Sequence, residues 1–276
     1  MNEAQQRAVF FVSDRTGITA ETLGHSLLTQ FEGVEFQQRT VPFVDTEERA
    51  QQAVEEIDRV AAQSPVPPLV FSTLIVDELR DIVARSRGVF FDFFNEFIGP
   101  LEDEFHLQST HTIGLSHGAS DEGRYMVRMD AVNFALETDD GVFTHHYDYA
   151  DLILSGVSRC GKTPTCLYMA LQFGIFAANY PLTDEDLESS RLPEELLAHR
   201  DKVFGLTIDA QRLAAIREER RPNSRYASLH QCRHELRKVS NLFRMEGIPI
   251  YDTSTSSIEE IATTILQTAN IKRRLY

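Results

Sequence analysis

Apolar residues arrive in short unbroken runs, and the stretches between them carry helical spacing. Ala8-Val9-Phe10-Phe11-Val12 is a run suited to a buried strand, and residues 19–31 follow with the periodicity of a helix. Residues 39–44 predict a second strand and residues 47–62 a second helix. Pro65, Pro67 and Pro68 break the chain before a third strand at 69–71 and a helix at 76–85. Beyond Phe90 the pattern blurs through a helical segment, a loop at 111–123 and an amphipathic stretch at 125–136. The polar residues 139–148 then predict a domain boundary. Past it the alternation resumes, with strands at 152–155, 175–179, 203–208 and 249–251, intervening helices, and a last helix at 258–269. Strands alternating with helices imply parallel pairing. The expected fold class is therefore α/β, with mainly parallel sheets in an N-terminal domain 1–148 and a C-terminal domain 149–276. No internal repeat or low-complexity tract interrupts this plan.

Composition narrows the function. The 276 residues are 42% hydrophobic, enough to bury a sizeable core. Lys and Arg number 27 against 42 Asp and Glu, and the net charge of -15 disfavours a general nucleic-acid binder, whose partner's phosphates would be repelled. The three cysteines, Cys160, Cys166 and Cys232, make no even-numbered disulfide framework and suggest the reducing cytoplasm. No apolar stretch approaches the ~18 residues that span a bilayer, and the polar N-terminus has no targeting character, so no membrane association is expected.

The chemistry concentrates in Gly156-Val157-Ser158-Arg159-Cys160-Gly161-Lys162-Thr163, a complete G-x-x-x-x-G-K-[ST] pattern directly after Leu152-Ile153-Leu154. The context is that of a phosphate-binding loop, with a strand before it and a helix from Thr163 to the stop at Gly174. Glycines let the backbone turn tightly and bring successive N–H groups to an anion. Lys162 adds a full charge, Thr163 a hydroxyl for a magnesium ion, and the helix the positive end of its dipole. Pro164 suits the helix start because its missing N–H would lack a partner there.

Other constellations leave two readings open. Ser13-Asp14 to Ala20-Glu21 follows the first strand and opens a helix, as a second anion or substrate loop would; an ordinary turn capped by Thr19 fits as well. Arg212, Arg217, Arg220, Arg221 and Arg225 cluster as guanidinium donors for a transferring phosphoryl group, or as a solvated face paired with Glu218 and Glu219. Asp209 ends a strand, where an acid can hold magnesium through water, and equally precedes a helix that it could cap. His230, Cys232 and His234 lack the H-E-x-x-H order and an evident third zinc ligand. His145, His146 and Asp148 lie in a polar loop, and Gly156–Cys160 fails the nucleophile-elbow pattern at its fifth position.

The run from Gly156 to Thr165, Leu167-Tyr168, Ala177-Ala178-Asn179-Tyr180-Pro181-Leu182, Phe204-Gly205-Leu206-Thr207, Arg217-Glu218-Glu219-Arg220-Arg221 and Ser224 to Leu229 closely resemble the phosphoenolpyruvate synthase regulatory protein family. So does the segment Ser13–Glu21, and the likeness runs nearly end to end. The wider family includes regulators of pyruvate, phosphate dikinase; Arg159-Cys160-Gly161 looks more like the synthase branch. The resemblance implies a bifunctional cytoplasmic enzyme that phosphorylates a threonine of phosphoenolpyruvate synthase with ADP as donor. It also implies removal of that phosphate by inorganic phosphate, releasing pyrophosphate, with a homodimer as the expected assembly. On this reading Gly156–Thr163 bind the nucleotide, Thr163 meets magnesium, and Lys162 shares the transferred charge with one or more of Arg217, Arg220 and Arg225. Asp14 and Asp209 are the candidate general bases. A small-molecule kinase and a non-catalytic nucleotide sensor are the competing classes.

Overall fold

The computed structural model describes residues 5–112, 122–189 and 191–275. The chain divides into two compact units, Met1–Gly118 and Ala119–Tyr276. Of the loop expected at 111–123, residues 113–121 lie outside the described residues.

The first unit runs β1 (Gln5–Val12), α1 (Ile18–Leu28), β2 (Val34–Val41), α2 (Glu47–Ala61), β3 (Leu69–Ser72), α3 (Asp77–Ala84), β4 (Val89–Asp92) and α4 (Asn95–Phe105). Its sheet has the order β2-β1-β3-β4, all neighbours parallel. Alternation in the central strand β1 sends Phe10 and Val12 to one face, against Ala50, Ala53 and Ile57 of α2 and Leu79 and Val83 of α3. Val9 and Phe11 go to the other face, against Ala20 and Leu28 of α1. Both faces of β1 are thus covered, which is why its apolar run is unbroken. The hydrophobic pattern found one edge strand with shifted bounds and missed the other. β2 begins at Val34 and ends at Val41, earlier than the expected 39–44, because an edge strand alternates: Glu35, Gln37 and Gln38 dilute Val34 and Phe36. β4 was not anticipated; it is four residues long with half its positions exposed.

The second unit contains α5 (Glu122–Glu137), β5 (Leu152–Gly156), α6 (Lys162–Phe173), β6 (Ala177–Pro181), α7 (Asp184–Ser189), α8 (Glu194–Leu197), β7 (Val203–Thr207), α9 (Ala210–Arg220), α10 (Leu229–Met245), β8 (Ile250–Asp252) and α11 (Ile258–Thr268). Its parallel sheet is ordered β6-β5-β7-β8 around one continuous core. All five residues of β5 are buried. The division between units falls before α5, not after Asp148 as the polar stretch suggested. Helix α5 packs on α6 and β6, and its Ala131, Phe134 and Ala135 join the second core.

The two sheets share one topology. In each, the first strand lies inside, the second pairs on one side and the third on the other. The chain therefore changes winding direction beyond the carboxyl end of β1 and again beyond that of β5, the places where open α/β sheets form ligand crevices.

Candidate functional site

The loop leaving β5 is built around backbone constraints that side chains would break. Gly156 has φ 155°, and a Cβ there would come within 2.4 Å of the Leu206 carbonyl oxygen. Gly161 takes φ 96° just before α6 begins. Arg159 is also left-handed, at φ 76°, an uncommon conformation for a residue with a side chain. Three carbonyls of the loop are held by its surroundings. Leu182 N–H donates to Gly156 at 3.0 Å, Arg217 to Ser158, and the Thr253 hydroxyl to Cys160 at 3.2 Å. In a trans peptide the N–H opposes its carbonyl, so fixing the Ser158 and Cys160 carbonyls on the scaffold turns the Arg159 and Gly161 N–H groups away from it.

Lys162 is 4% exposed and donates to the carbonyls of Gly156 at 3.2 Å and Val157 at 2.9 Å. No carboxylate pairs with it among the described residues. A buried ammonium satisfied only by neutral carbonyls leaves net positive charge at the loop. Beside it lies a cleft of about 590 Å³, lined by Lys162, Thr163, Arg159, Arg220, Arg221 and Tyr226 among others. The Thr163 hydroxyl donates to Asp139 at 2.7 Å, and Asn179, at the centre of β6, donates its side-chain amide to the same carboxylate oxygen. Asn179 in turn accepts the Asp140 N–H. Asp139 is thereby fixed against the loop, with Asp140 on the cleft wall.

The arginines separate into different roles. Arg217 has no exposed surface and does not line the cleft. Its guanidinium donates to both Glu235 carboxylate oxygens at 3.2 and 2.7 Å, to the Ser158 carbonyl at 3.1 Å and to the Tyr226 carbonyl at 3.1 Å, and stacks on the Tyr226 ring. Burial works against its charge, but the Glu235 carboxylate more than offsets that and holds its pKa above the ordinary arginine value. Arg217 is a brace for the loop, which corrects the expectation of a charge donor in the cleft. Tyr226, held this way, brings its hydroxyl 3.0 Å from that of Ser158. Helix α9 ends at Arg220 ahead of Pro222, so Arg220 and Arg221 reach the cleft while Arg225, exposed in a short turn, does not line it.

Asp209 adopts the capping alternative. Its carboxylate accepts the Gln211 and Arg212 N–H groups at 2.8 and 3.0 Å, and these bonds, the Arg212 one foremost, hold its pKa below the usual carboxylate range. A carboxylate so stabilised is a weak base. Asp209→Ala is expected to lower the melting temperature by a few degrees through loss of the cap, with phosphotransfer kinetics unchanged. Thermal melts alongside initial rates check both parts. Asp14, the other candidate base, belongs to the first unit, where burial raises its pKa and the Ile75 N–H and Arg15 only partly offset this.

Cys160, Cys166 and Cys232 are buried free thiols, and among the described residues no three His, Cys, Asp or Glu side chains gather as a metal site. Sequence reasoning missed Asp139, which was read as part of a boundary, and Tyr226 as a cleft residue; Arg221 stood in the arginine cluster it named. Asn179 and Tyr226 do stand inside the motifs that carry the family resemblance. No helix of the described residues is long and apolar enough to cross a membrane.

Comparison with known proteins adds to this geometry. Residues 9–266 match the model of a family described as kinase/pyrophosphorylase. A protein of Alkalilimnicola ehrlichii named as a phosphoenolpyruvate synthase regulatory protein is 56% identical over 276 residues, all of both chains. One of the same name from Halorhodospira halophila is 57% identical over 270 residues, 98% of each chain. A third, from Stutzerimonas stutzeri, is 54% identical over 98% of this chain and 99% of its own.

Proposed function

The chain belongs to the kinase/pyrophosphorylase family of phosphoenolpyruvate synthase regulatory proteins, and on that premise we propose that it regulates a phosphoenolpyruvate synthase by reversible threonine phosphorylation at the Gly156–Thr163 loop. The observation that carries the proposal is the buried ammonium of Lys162, without a carboxylate partner among the described residues, at the head of a cleft that also receives Arg159, Arg220 and Arg221. Such a site is electrostatically incomplete without a polyphosphate.

In the kinase direction the threonine oxygen of the target forms a bond to the β-phosphorus of ADP. The bond from that phosphorus to the bridging oxygen breaks, AMP leaves with the electron pair, and the hydroxyl proton passes to solvent or a base. In the opposite direction an oxygen of inorganic phosphate bonds to the phosphothreonine phosphorus, and the threonine oxygen leaves to be protonated, giving pyrophosphate. Both reactions spread charge over three equatorial oxygens in a loose transition state, so positioning and charge stabilisation do most of the catalytic work. The loop N–H groups and Lys162 would hold the phosphate next to the transferred group, and Arg220 and Arg221 would face the developing charge. Thr163 and Asp139 offer hard oxygen donors of the kind magnesium takes. Magnesium, when bound, would neutralise charge on the nucleotide phosphates. Arg217 acts at one remove, by holding Ser158 and Tyr226. The reading places the protein in the cytoplasm, where buried thiols stay reduced, and a homodimer is its expected assembly.

Incubating the protein with ADP, magnesium and purified phosphoenolpyruvate synthase should yield one phosphothreonine by mass spectrometry, together with AMP. Adding phosphate to the modified target should release pyrophosphate. Absence of transfer from both ADP and ATP would favour a small-molecule kinase, and a stable ADP-bound complex without turnover a nucleotide sensor.

A further inference from the structure

The first unit has a crevice at the same topological position as the Gly156–Thr163 loop. It opens where the chain leaves β1, the strand equivalent to β5 in the shared sheet order. The cavity, of about 230 Å³, is formed by residues 13–19, by Thr73 and Ile75 beyond β3, by Phe94 and Ile98, and by residues 109–112. Its size suits a metabolite rather than a nucleotide.

Two side-chain oxygen atoms at its lining are buried without hydrogen-bond partners among the described residues. Asp14 is 5% exposed, and its Oδ2 has no hydrogen-bond partner among the described residues; Thr73 is 2% exposed, and its Oγ1 has none either. Both stand at the carboxyl ends of adjacent strands, with Thr73 N–H fixed to the Val12 carbonyl at 3.0 Å. Leaving either atom unsatisfied costs free energy that the fold does not recover from its own contacts. The third element is the start of α1. Gly17 precedes it at φ 83°, where a Cβ would come within 2.6 Å of the Thr40 side chain, and it provides no side-chain cap. The first N–H groups of α1 therefore have no intrahelical partner and carry the positive end of the helix dipole into the same cavity. Arg15, exposed on the rim, adds a cation. Ser13 stiffens the turn by accepting the Arg15 N–H, and the Phe43 N–H donates to the Arg15 carbonyl at 2.8 Å.

We propose that this crevice is a second ligand site, separate in kind from the nucleotide loop, for a small phosphate ester carrying a free hydroxyl. Its phosphate sits on the N–H groups that open α1, and its hydroxyl donates to Asp14 Oδ2 within reach of Thr73 Oγ1. The site gives the regulatory enzyme a means of sensing a metabolite in the unit that does not carry the nucleotide loop.

The test uses the full-length protein, glycerol 3-phosphate as probe, and amide NMR shifts as a site-resolved readout. Glycerol 3-phosphate should shift Gly17, Ile18 and Thr19 saturably, and should do so equally in a Lys162→Ala background, where phosphate binding at the other loop is weakened. Inorganic phosphate should bind the same amides more weakly, since it lacks the carbon-borne hydroxyl. Asp14→Ala should weaken glycerol 3-phosphate about tenfold or more, the loss of a hydrogen bond to a charged group. Thr73→Val, nearly the same shape, should weaken binding while raising the melting temperature of the ligand-free protein, because it removes an unsatisfied buried hydroxyl. Failure of Gly17 and Thr19 to move with either probe would overturn the proposal. So would unchanged affinity in both variants, or a Thr73→Val protein less stable than wild type, which would mean that its hydroxyl serves the fold.

Discussion

Lys162→Ala is expected to slow both proposed reactions, the ADP-dependent phosphorylation and the phosphate-dependent reversal, by about a hundredfold to a thousandfold, the usual cost of losing one preorganised charge-stabilising donor. The fold should survive. Nζ is held by two loop carbonyls and by no carboxylate among the described residues, so the truncation removes a buried charge without orphaning another. Thermal stability should therefore stay unchanged or rise, in contrast to the loss usual for a buried residue. Single-turnover rates in both directions, with melts on the same preparation, make the check. An unimpaired variant would remove Lys162 from the chemistry and with it the main support for the proposed function. The paired measurement matters because each direction presents a different phosphate to the loop. Equal losses would place both reactions on one set of groups.

The second large effect is structural. Glu235→Ala should destabilise the second unit by about 3–5 kcal/mol, the range for breaking a buried ion pair and stranding one charge. Arg217 has no exposed surface, and Glu235 is its carboxylate partner. Urea denaturation would register the loss as a lower midpoint at constant slope. Gln231 donates to Glu235 at 3.0 Å, so the stranded set includes an amide as well. Replacing both members together, as Arg217→Met with Glu235→Leu, should recover most of the stability, since a packed apolar pair has no charge to desolvate. It should not recover activity. The Ser158 carbonyl and the Tyr226 ring would have lost the guanidinium that holds them. Stability restored without turnover would identify Arg217 as the residue that shapes the loop; recovery of both would reduce it to packing.

These two residues show how differently the site could be read from sequence. Lys162 was legible because its signal is local: two glycines, a lysine and a threonine in fixed spacing form one motif between a strand and a helix. Arg217 looked like its neighbours Arg220 and Arg221, three cations on one short helix. Only the packing of α10 against α9 brings Glu235 to Arg217 and turns its side chain inward, while the end of the helix before Pro222 leaves Arg220 and Arg221 in the cleft. Asp139 was hidden for the same reason. It lies in a polar stretch that reads as a linker, and gains significance when Asn179 and Thr163 meet it from β6 and α6.

The amino-acid sequence by itself determined the parallel α/β class, the central strands β1, β3, β5 and β7, the capped and amphipathic helices, the G-x-x-x-x-G-K-[ST] pattern of residues 156–163 and the family. These follow from signals confined to one segment, namely an apolar run, a helical period or a motif. The tertiary structure alone decided the bounds of β2, the edge strand β4, the place of α5 in the second unit, the separation of Arg217 from the other arginines, the partnership of Asp139 with Thr163 and the unpaired atoms of Asp14 and Thr73. Each of these depends on which distant segments become neighbours, and the free energy of a buried charge or an unsatisfied oxygen is a property of that neighbourhood.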